Sequence, residues 1–228
     1  ATTELYTLSL HDALPIFVKS LAGLLKQGPD VKVGPGDDCA VLDFGLEELV
    51  LAAADQVVSG VHFVEGTPPG AVARKLLNRN VSDIAAMGGR PTHALVTVAM
   101  EPLSEDWLKN FYEGMQELAA ELGVSIVGGD VSSSKAKGQF CSLSILGRVE
   151  RDSLCLRSGA NVGDLLYATG LFGNSFVSKH HLDFKPRLEE SAFLAGRLTR
   201  TMIDVSDGLL KDADRKSTRL NSSHRIRT

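Results

Sequence analysis

The sequence predicts a mixed fold of strands and helices around a sizeable core. Apolar runs of strand length alternate along the chain with longer stretches of helical spacing. Hydrophobic residues make up 43% of the 228 residues, an ordinary share for a globular protein. Turn signals such as Gly28-Pro29-Asp30, Gly88-Gly89 and Gly123 fall between the segments. The length allows one large domain, or one domain and part of another.

Phe17 to Leu25 has helical spacing, with Phe17, Val18, Leu21, Leu24 and Leu25 apolar, and Gly28-Pro29-Asp30 is expected to end it. Leu49 to Ala54 is a short apolar run, read as a buried strand leading into Asp55. Thr67-Pro68 is a helix start, with Thr67 as cap and Pro68 in the first turn. That helix continues through Val72, Leu76, Leu77, Val81 and Ile84 until Gly88-Gly89 stops it. Ala94 to Met100 reads as a strand. Ser104 caps the next helix, whose apolar face is Trp107, Leu108, Phe111, Met115, Leu118 and Leu122, and Gly123 is its C-terminal signal. Val124 to Val127 is a strand delivering Gly128-Gly129-Asp130, and Phe140 to Val149 is a strand of alternating character. Asp164 to Thr169 reads as a strand opening a second domain, and a helix near Glu189 to Arg200 precedes the approach to Asp204.

Bulk properties exclude several classes. The net charge of −4 gives no electrostatic reason to expect nucleic acid or an anionic membrane surface as partner. There is no apolar run long enough to span a membrane. The phosphate loop GxxxxGK[ST] and the dinucleotide fingerprint GxGxxG are both absent. Cys39, Cys141 and Cys155 form no CxxC pair, which fits a reducing compartment with thiols used as small buried groups. Ser9 to Ile16 and Arg215 to His224 read like translated sequencing-adapter sequence, so residues 1–16 and 213–228 are set aside from fold reasoning.

Aspartates carry most of the chemical signal. Asp38, Asp55, Asp83, Asp130, Asp204 and Asp207 sit in five short segments, most of them following or embedded in an apolar run. Carboxylates gathered in one cleft oppose each other's ionisation unless cations hold them. Magnesium takes hard oxygen ligands and shares them with substrate phosphates. The pattern points to magnesium-dependent phosphoryl transfer, with no evident nucleophile or histidine dyad. Individually each segment has a plainer use: Gly34-Pro35-Gly36-Asp37-Asp38 as a turn, Gly128-Gly129-Asp130 as a strand-end turn, Asp204 to Asp207 as a helix cap. Strand-like alternation would turn Asp37 away from Asp38.

Taken in order, the segments resemble the thiamine-monophosphate kinases. The resemblance rests on Val33 to Leu42, Gly60-Val61-His62-Phe63, Asn80 to Gly89, Val127-Gly128-Gly129-Asp130, Arg157-Ser158-Gly159-Ala160 and Met202 to Leu209. It runs from about residue 17 to 212. It implies the α+β fold of the aminoimidazole ribonucleotide synthetase superfamily, with an N-terminal ATP- and metal-binding domain over 17–150 and part of a C-terminal α+β domain over 151–212. It also implies pairing of N-terminal domains through their sheets in a cytoplasmic homodimer. The implied reaction is ATP-dependent phosphorylation of thiamine monophosphate to thiamine diphosphate. The implied metal ligands are Asp38, Asp55, Asp83, Asp130, Asp204 and Asp207. Gly129, Arg157 and Ser206 would meet ATP, and His62 would meet thiamine monophosphate. One departure is plain: the family has hydroxyl residues just before Asp55, and this chain has Ala53-Ala54. The acidic and aromatic segments with which the family holds the thiamine moiety are not found, which reads as a C-terminal truncation. Two alternatives follow: another ATP-using superfamily member, of aminoimidazole ribonucleotide or selenophosphate synthetase type, or an inactive nucleotide-binding fragment.

Overall fold

Six strands form one sheet in the computed structural model, which describes residues 21–217. The strands are β1 (Val31–Val33), β2 (Ala40–Leu42), β3 (Glu48–Val58), β4 (Arg90–Glu101), β5 (Ser125–Ser133) and β6 (Gly138–Glu150), in the order β1-β2-β3-β6-β4-β5. All neighbours are antiparallel except β4 and β5. Helices α1 (Pro69–Ala86) and α2 (Glu105–Leu122) pack on each other and on one face of the sheet. Two short helices follow, α3 (Leu188–Leu194) and α4 (Leu209–Ser217). This is the expected α+β arrangement, with helices segregated to one side of a mostly antiparallel sheet. Residues 1–16, Phe17 and Val18, and 218–228 lie outside the described residues.

The sheet obeys period two. On β6, Cys141, Leu143, Ile145 and Val149 are buried while Ser144, Leu146 and Arg148 are exposed. The buried set meets Val72, Leu76, Val81 and Ile84 of α1 and Phe111 and Met115 of α2. The opposite face is bare: Leu95 and Leu146 there are 48% and 45% exposed. All three cysteines are buried and none is in a disulfide.

Helix α2 follows its expected limits. Ser104 Oγ accepts the Trp107 N–H at 3.2 Å, Glu105 and Asp106 stand in the first turn, and Gly123 closes the helix at φ 68°. Helix α1 departs at its start. Thr67 Oγ1 donates back to the Val64 carbonyl at 2.7 Å instead of capping, and Pro69 opens the helix behind Pro68. Proline suits that place because its missing N–H would have no helical partner. The first expected helix also ends early: helical backbone stops at Ala22, and Leu24 and Leu25 are exposed.

The long strands outrun their apolar cores. β3 pairs with β6 along its whole length, from Glu48 opposite Glu150 to Val58 opposite Phe140, so Asp55 lies within the strand and not after it. β5 likewise runs through Gly128-Gly129-Asp130, which is strand interior and not a turn. Hydrogen bonding to a long partner extends a strand past the point where its side chains stop being apolar. Gly129 makes that pairing possible. A Cβ there would lie 1.7 Å from the Val96 carbonyl oxygen of β4. Gly129→Ala is therefore expected to destabilise the fold by about 2–3 kcal/mol, as overpacking against rigid backbone does. Urea melting checks this, and an unchanged midpoint would contradict it.

Asp164 to Thr169 is not a strand. Leu165, Leu166 and Tyr167 are 67–81% exposed, and no described segment pairs with them. An apolar run becomes a strand only when another strand takes up its backbone groups. The expected helix over Glu189 to Arg200 is confined to Leu188–Leu194. What residues 151–208 do supply is a return path to the sheet domain. Cys155 N–H donates to the Met87 carbonyl at 3.2 Å, just past α1. Leu156 forms a bridge with Thr201, with Leu156 N–H on the Arg200 carbonyl at 3.0 Å. This crossing sets Arg157 and Asp204 beside the turn that carries Asp37 and Asp38.

Candidate functional site

Asp83 stands near the C-terminal end of α1, with Arg79 one turn and Lys75 two turns before it. The i, i+4, i+8 spacing puts all three on one stripe of the helix. Asp38 comes from the turn between β1 and β2, and Asp204 from the segment before α4. One carboxylate oxygen from each of Asp38, Asp83 and Asp204 lies within 4.8 Å of the other two. The structure thus brings together three of the six expected ligands.

The acids feel one another strongly. Burial pushes the Asp83 carboxyl up to about 9, aided by the negative charges of Asp204, Asp55 and Asp38. Burial likewise pushes Asp204 up to about 7, with Asp38 the next cause. Asp38 is raised by burial against the lowering effect of Arg157. The Asp38 side chain is wholly buried. Its Oδ1 accepts from Nε of Arg157 at 3.0 Å and from Nη2 of the same guanidinium. Its Oδ2 has no hydrogen-bond partner among the described residues. A buried carboxylate with one oxygen lacking a donor, in a cluster with two further carboxylates, is what a hard cation would satisfy. The residues fit a divalent cation held by oxygen.

The other expected ligands sit elsewhere. Asp55 Oδ2 is held by Arg79 Nε at 2.9 Å, and Asp55 N–H donates to Asn80 Oδ1 at 3.0 Å. Asp130 lies on the edge strand β5, opposite Thr97. Asp207 pairs with Lys211 at 3.3 Å in the first turn of α4. Ser206 N–H and Asp207 N–H both donate to Asp212 Oδ2, at 3.1 and 2.9 Å. A buried carboxylate thus shapes the loop that carries Ser206.

His62 sits at the end of the stripe. Val58 N–H donates to His62 Nδ1 at 3.0 Å, so the ring proton is on Nε2. Burial, then the charges of Arg79 and Lys75, hold the imidazole below its usual range and neutral. Lys75 Nζ donates to the His62 carbonyl at 2.5 Å, and burial lowers its ammonium to about 8. Lys75 and Arg79, with the neutral His62, form a flank beside the acidic cluster, joined to it through Asp55.

Four residues of the site were not anticipated, Lys75 among them, although it lies two helical turns from Asp83. Asp37 does not turn away: its carboxylate accepts the Arg157 N–H at 3.1 and 3.2 Å and the Asp38 N–H at 3.1 Å. Residues 35–39 are bridge, turn and bend, so strand alternation does not apply there. Arg79 was legible in principle, since it lies one helical turn from Asp83. Asp212 gave no signal beyond its position in the first turn of a helix.

The family described as AIR synthase related protein, N-terminal domain, matches residues 36–149, half of the chain. The chain belongs to this family. Within it, the chain is 38% identical over 213 residues to a thiamine-monophosphate kinase of Rhodopirellula baltica, covering 87% of this chain and 65% of the relative. It is 31% identical over 203 residues to the thiamine-monophosphate kinase of Escherichia coli K12, covering 80% of this chain and 61% of that protein. The chain therefore spans less than two thirds of the length of these curated relatives. Among solved structures, AaThiL complexed with AMPPCP and TMP aligns at TM-score 0.74 and 26% identity, over 96% of this chain and 72% of that one. Thiamine-monophosphate kinase from Stenotrophomonas maltophilia K279a aligns at TM-score 0.66 and 29% identity, over 92% and 72%. The expected AIR-synthase-like fold is the observed one. No helix among the described residues is long and apolar enough to cross a membrane.

Proposed function

We propose that this chain is the ATP- and metal-binding part of a thiamine-monophosphate kinase, which makes thiamine diphosphate and ADP in the last step of thiamine diphosphate synthesis. The observation that carries the reading is the convergence of Asp38, Asp83 and Asp204 on one point next to Arg157. Its support from likeness is the solved relative bound to AMPPCP and TMP. In the transfer, an oxygen of the acceptor phosphate bonds to the γ-phosphorus of ATP while the bond to the β,γ-bridging oxygen breaks and ADP departs. The acceptor is already anionic, so no general base is required. Mg2+ held by Asp38, Asp83 and Asp204 would neutralise the phosphates that must approach each other. Arg157, always charged, is suited to phosphate oxygens of ATP, and the Ser206 loop and Gly129 would complete the nucleotide site. Asp55 and Asp207 would join as further ligands only on release from, or sharing with, Arg79 and Lys211, and Asp130 would be a further ligand from β5. Neutral His62 offers an Nε2–H donor to the acceptor.

The division into a domain over 17–150 and a partial one over 151–212 belongs to the same reading, with Arg157 and Asp204 as the second domain's contribution. So does a cytoplasmic homodimer, for which the bare sheet face with Leu95 and Leu146 is the natural pairing surface. The test is transfer of label from γ-labelled ATP to thiamine monophosphate, with aminoimidazole ribonucleotide precursor and selenide as rival acceptors. Label in thiamine diphosphate, abolished by EDTA, is the expected result. Label passing only to a rival acceptor would overturn the substrate. No rise in melting temperature with Mg2+ and ATP together would overturn the site.

A further inference from the structure

Lys75 is a buried cation without an acidic partner. It is 8% exposed, and among the described residues it forms no ion pair and one hydrogen bond, from Nζ to the His62 carbonyl at 2.5 Å. Burial, then the nearby charge of Arg79, lowers its ammonium to about 8, which leaves it charged at neutral pH. A buried charge with one neutral acceptor costs stability, and an apolar chain of similar length would fill the same space without that cost. Residues 58–63 show what the lysine acts on. After β3 the chain folds back on itself. Val61 N–H and His62 N–H donate to the Val58 carbonyl at 3.2 and 2.8 Å, and Gly60 N–H donates to the Phe63 carbonyl at 2.9 Å. Gly60 takes φ 77°, a conformation that favours glycine. The same turn draws in the His62 ring, whose Nδ1 accepts the Val58 N–H at 3.0 Å. Phe63 anchors the far end of the turn in the core. Lys75 ties the backbone of His62 itself to α1. The charged groups that bear on the ring are Arg79 and Lys75 from α1, which with burial oppose its protonation, and Asp55 from β3, which favours it. An imidazolium donates from both nitrogens, so protonation would break the bond from Val58 N–H.

We infer that Lys75 is a positioning residue, holding the His62 backbone against α1 so that the ring stays on Val58 and offers Nε2–H to the acceptor. This rests on the proposed reading in which His62 meets thiamine monophosphate. Lys75 acts in two ways. Its hydrogen bond fixes where the His62 backbone lies, and its charge opposes a second positive charge on the ring. It needs to touch neither metal nor transferring phosphate in this role. The Asp83 Cα lies about 12 Å further along the helix axis, eight residues at the helical rise.

The experiment is a pH titration of the His62 ring nitrogens by NMR on the full chain, beside calorimetric binding of thiamine monophosphate with Mg2+ and AMPPCP present. Compared are the unaltered chain, Lys75→Met, Lys75→Arg, His62→Ala, and Lys75→Met with His62→Ala. The His62 signals are those missing from His62→Ala. In Lys75→Met the ring should titrate at higher pH and populate both tautomers. Thiamine monophosphate should then bind about tenfold more weakly, the worth of roughly one hydrogen bond. Lys75→Arg should restore both readings. The double variant should bind no more weakly than His62→Ala, because Lys75 acts through His62, whereas a merely structural lysine would weaken it further. Unchanged titration and tautomer of His62 in Lys75→Met overturn the inference, as does a double variant weaker than His62→Ala. Where Lys75→Met fails to fold, Lys75→Gln is read in its place by the same criteria. Equal affinity in the unaltered chain and His62→Ala would instead sink the reading of His62 as an acceptor contact, and the ring spectra alone would then decide whether Lys75 holds His62.

Discussion

Asp83→Asn is expected to stabilise the metal-free protein at pH 8 and to remove its response to Mg2+. The two effects share one cause. The Asp83 carboxyl is pushed up to about 9 by burial and by Asp204, Asp55 and Asp38, so at pH 8 the folded chain holds a proton there that the unfolded chain has released. Holding it costs about 1.4 kcal/mol for each pH unit above the ordinary carboxylate value. Asparagine is neutral in both states and escapes that cost. Allowing for relaxation of the cluster, a gain of about 2–4 kcal/mol is expected. The unaltered protein should gain about 2.7 kcal/mol from Mg2+ at a hundred times its dissociation constant, and the variant close to none. The proposed transfer to thiamine monophosphate should fall by about 10³ or more, equivalent to roughly 4 kcal/mol. Melting curves with EDTA and with Mg2+ read the first two effects. A variant less stable without metal, yet still shifted by Mg2+, would show that Asp83 is a structural acid and not a ligand.

Much of this was legible in the sequence where local chemistry decides the outcome. Ser104 and Gly123 bound α2 because capping depends on residues a few positions apart. Asp83 lies within the apolar pattern of α1 and Asp204 behind Met202-Ile203, whereas Asp38 comes from a Gly-Pro-Gly turn, and the three meet within 4.8 Å. The misreadings share a different cause. Asp55 and Gly129 were placed at strand ends because their apolar runs stop there, yet strand length follows the partner strand. Leu165 to Tyr167 failed as a strand for the same reason, with no partner to pair with. Asp37 and Asp212 act on backbone N–H groups that only the fold brings near, those of Arg157 in one case and of Ser206 and Asp207 in the other. Arg79 is the instructive case. Its helical spacing from Asp83 was readable, but its partner Asp55 is on another element 24 residues away.

Metal-free stability should fall as pH rises from about 4 to about 9, and Mg2+ should remove or reverse the fall. Unfolded carboxylates ionise near their ordinary value of 3.8, whereas folded Asp204 and Asp83 keep their protons until about 7 and about 9. A raised carboxyl stabilises the fold fully below the unfolded value, and that stabilisation is lost as pH climbs to the folded one. From pH 4 to 7 the folded state holds up to two more protons than the unfolded state, so the slope approaches two groups' worth, each about 1.4 kcal/mol per pH unit. From 7 to 9 only Asp83 contributes, and above 9 the curve levels. Asp38, raised as well and sharing its surroundings with Arg157 and Asp204, steepens the acidic part. A divalent ion binds the ionised carboxylates, so its stabilisation grows over the same interval as protons leave. In Asp83→Asn the segment from 7 to 9 should be flat while the segment below 7 persists, which assigns each part of the curve to its own acid. Denaturant melts at unit pH intervals, with EDTA and with Mg2+, give the slopes directly. Metal-free stability that holds level or rises from pH 5 to 8 would mean that burial and mutual repulsion do not raise these carboxyls, and the need for a cation among them would disappear.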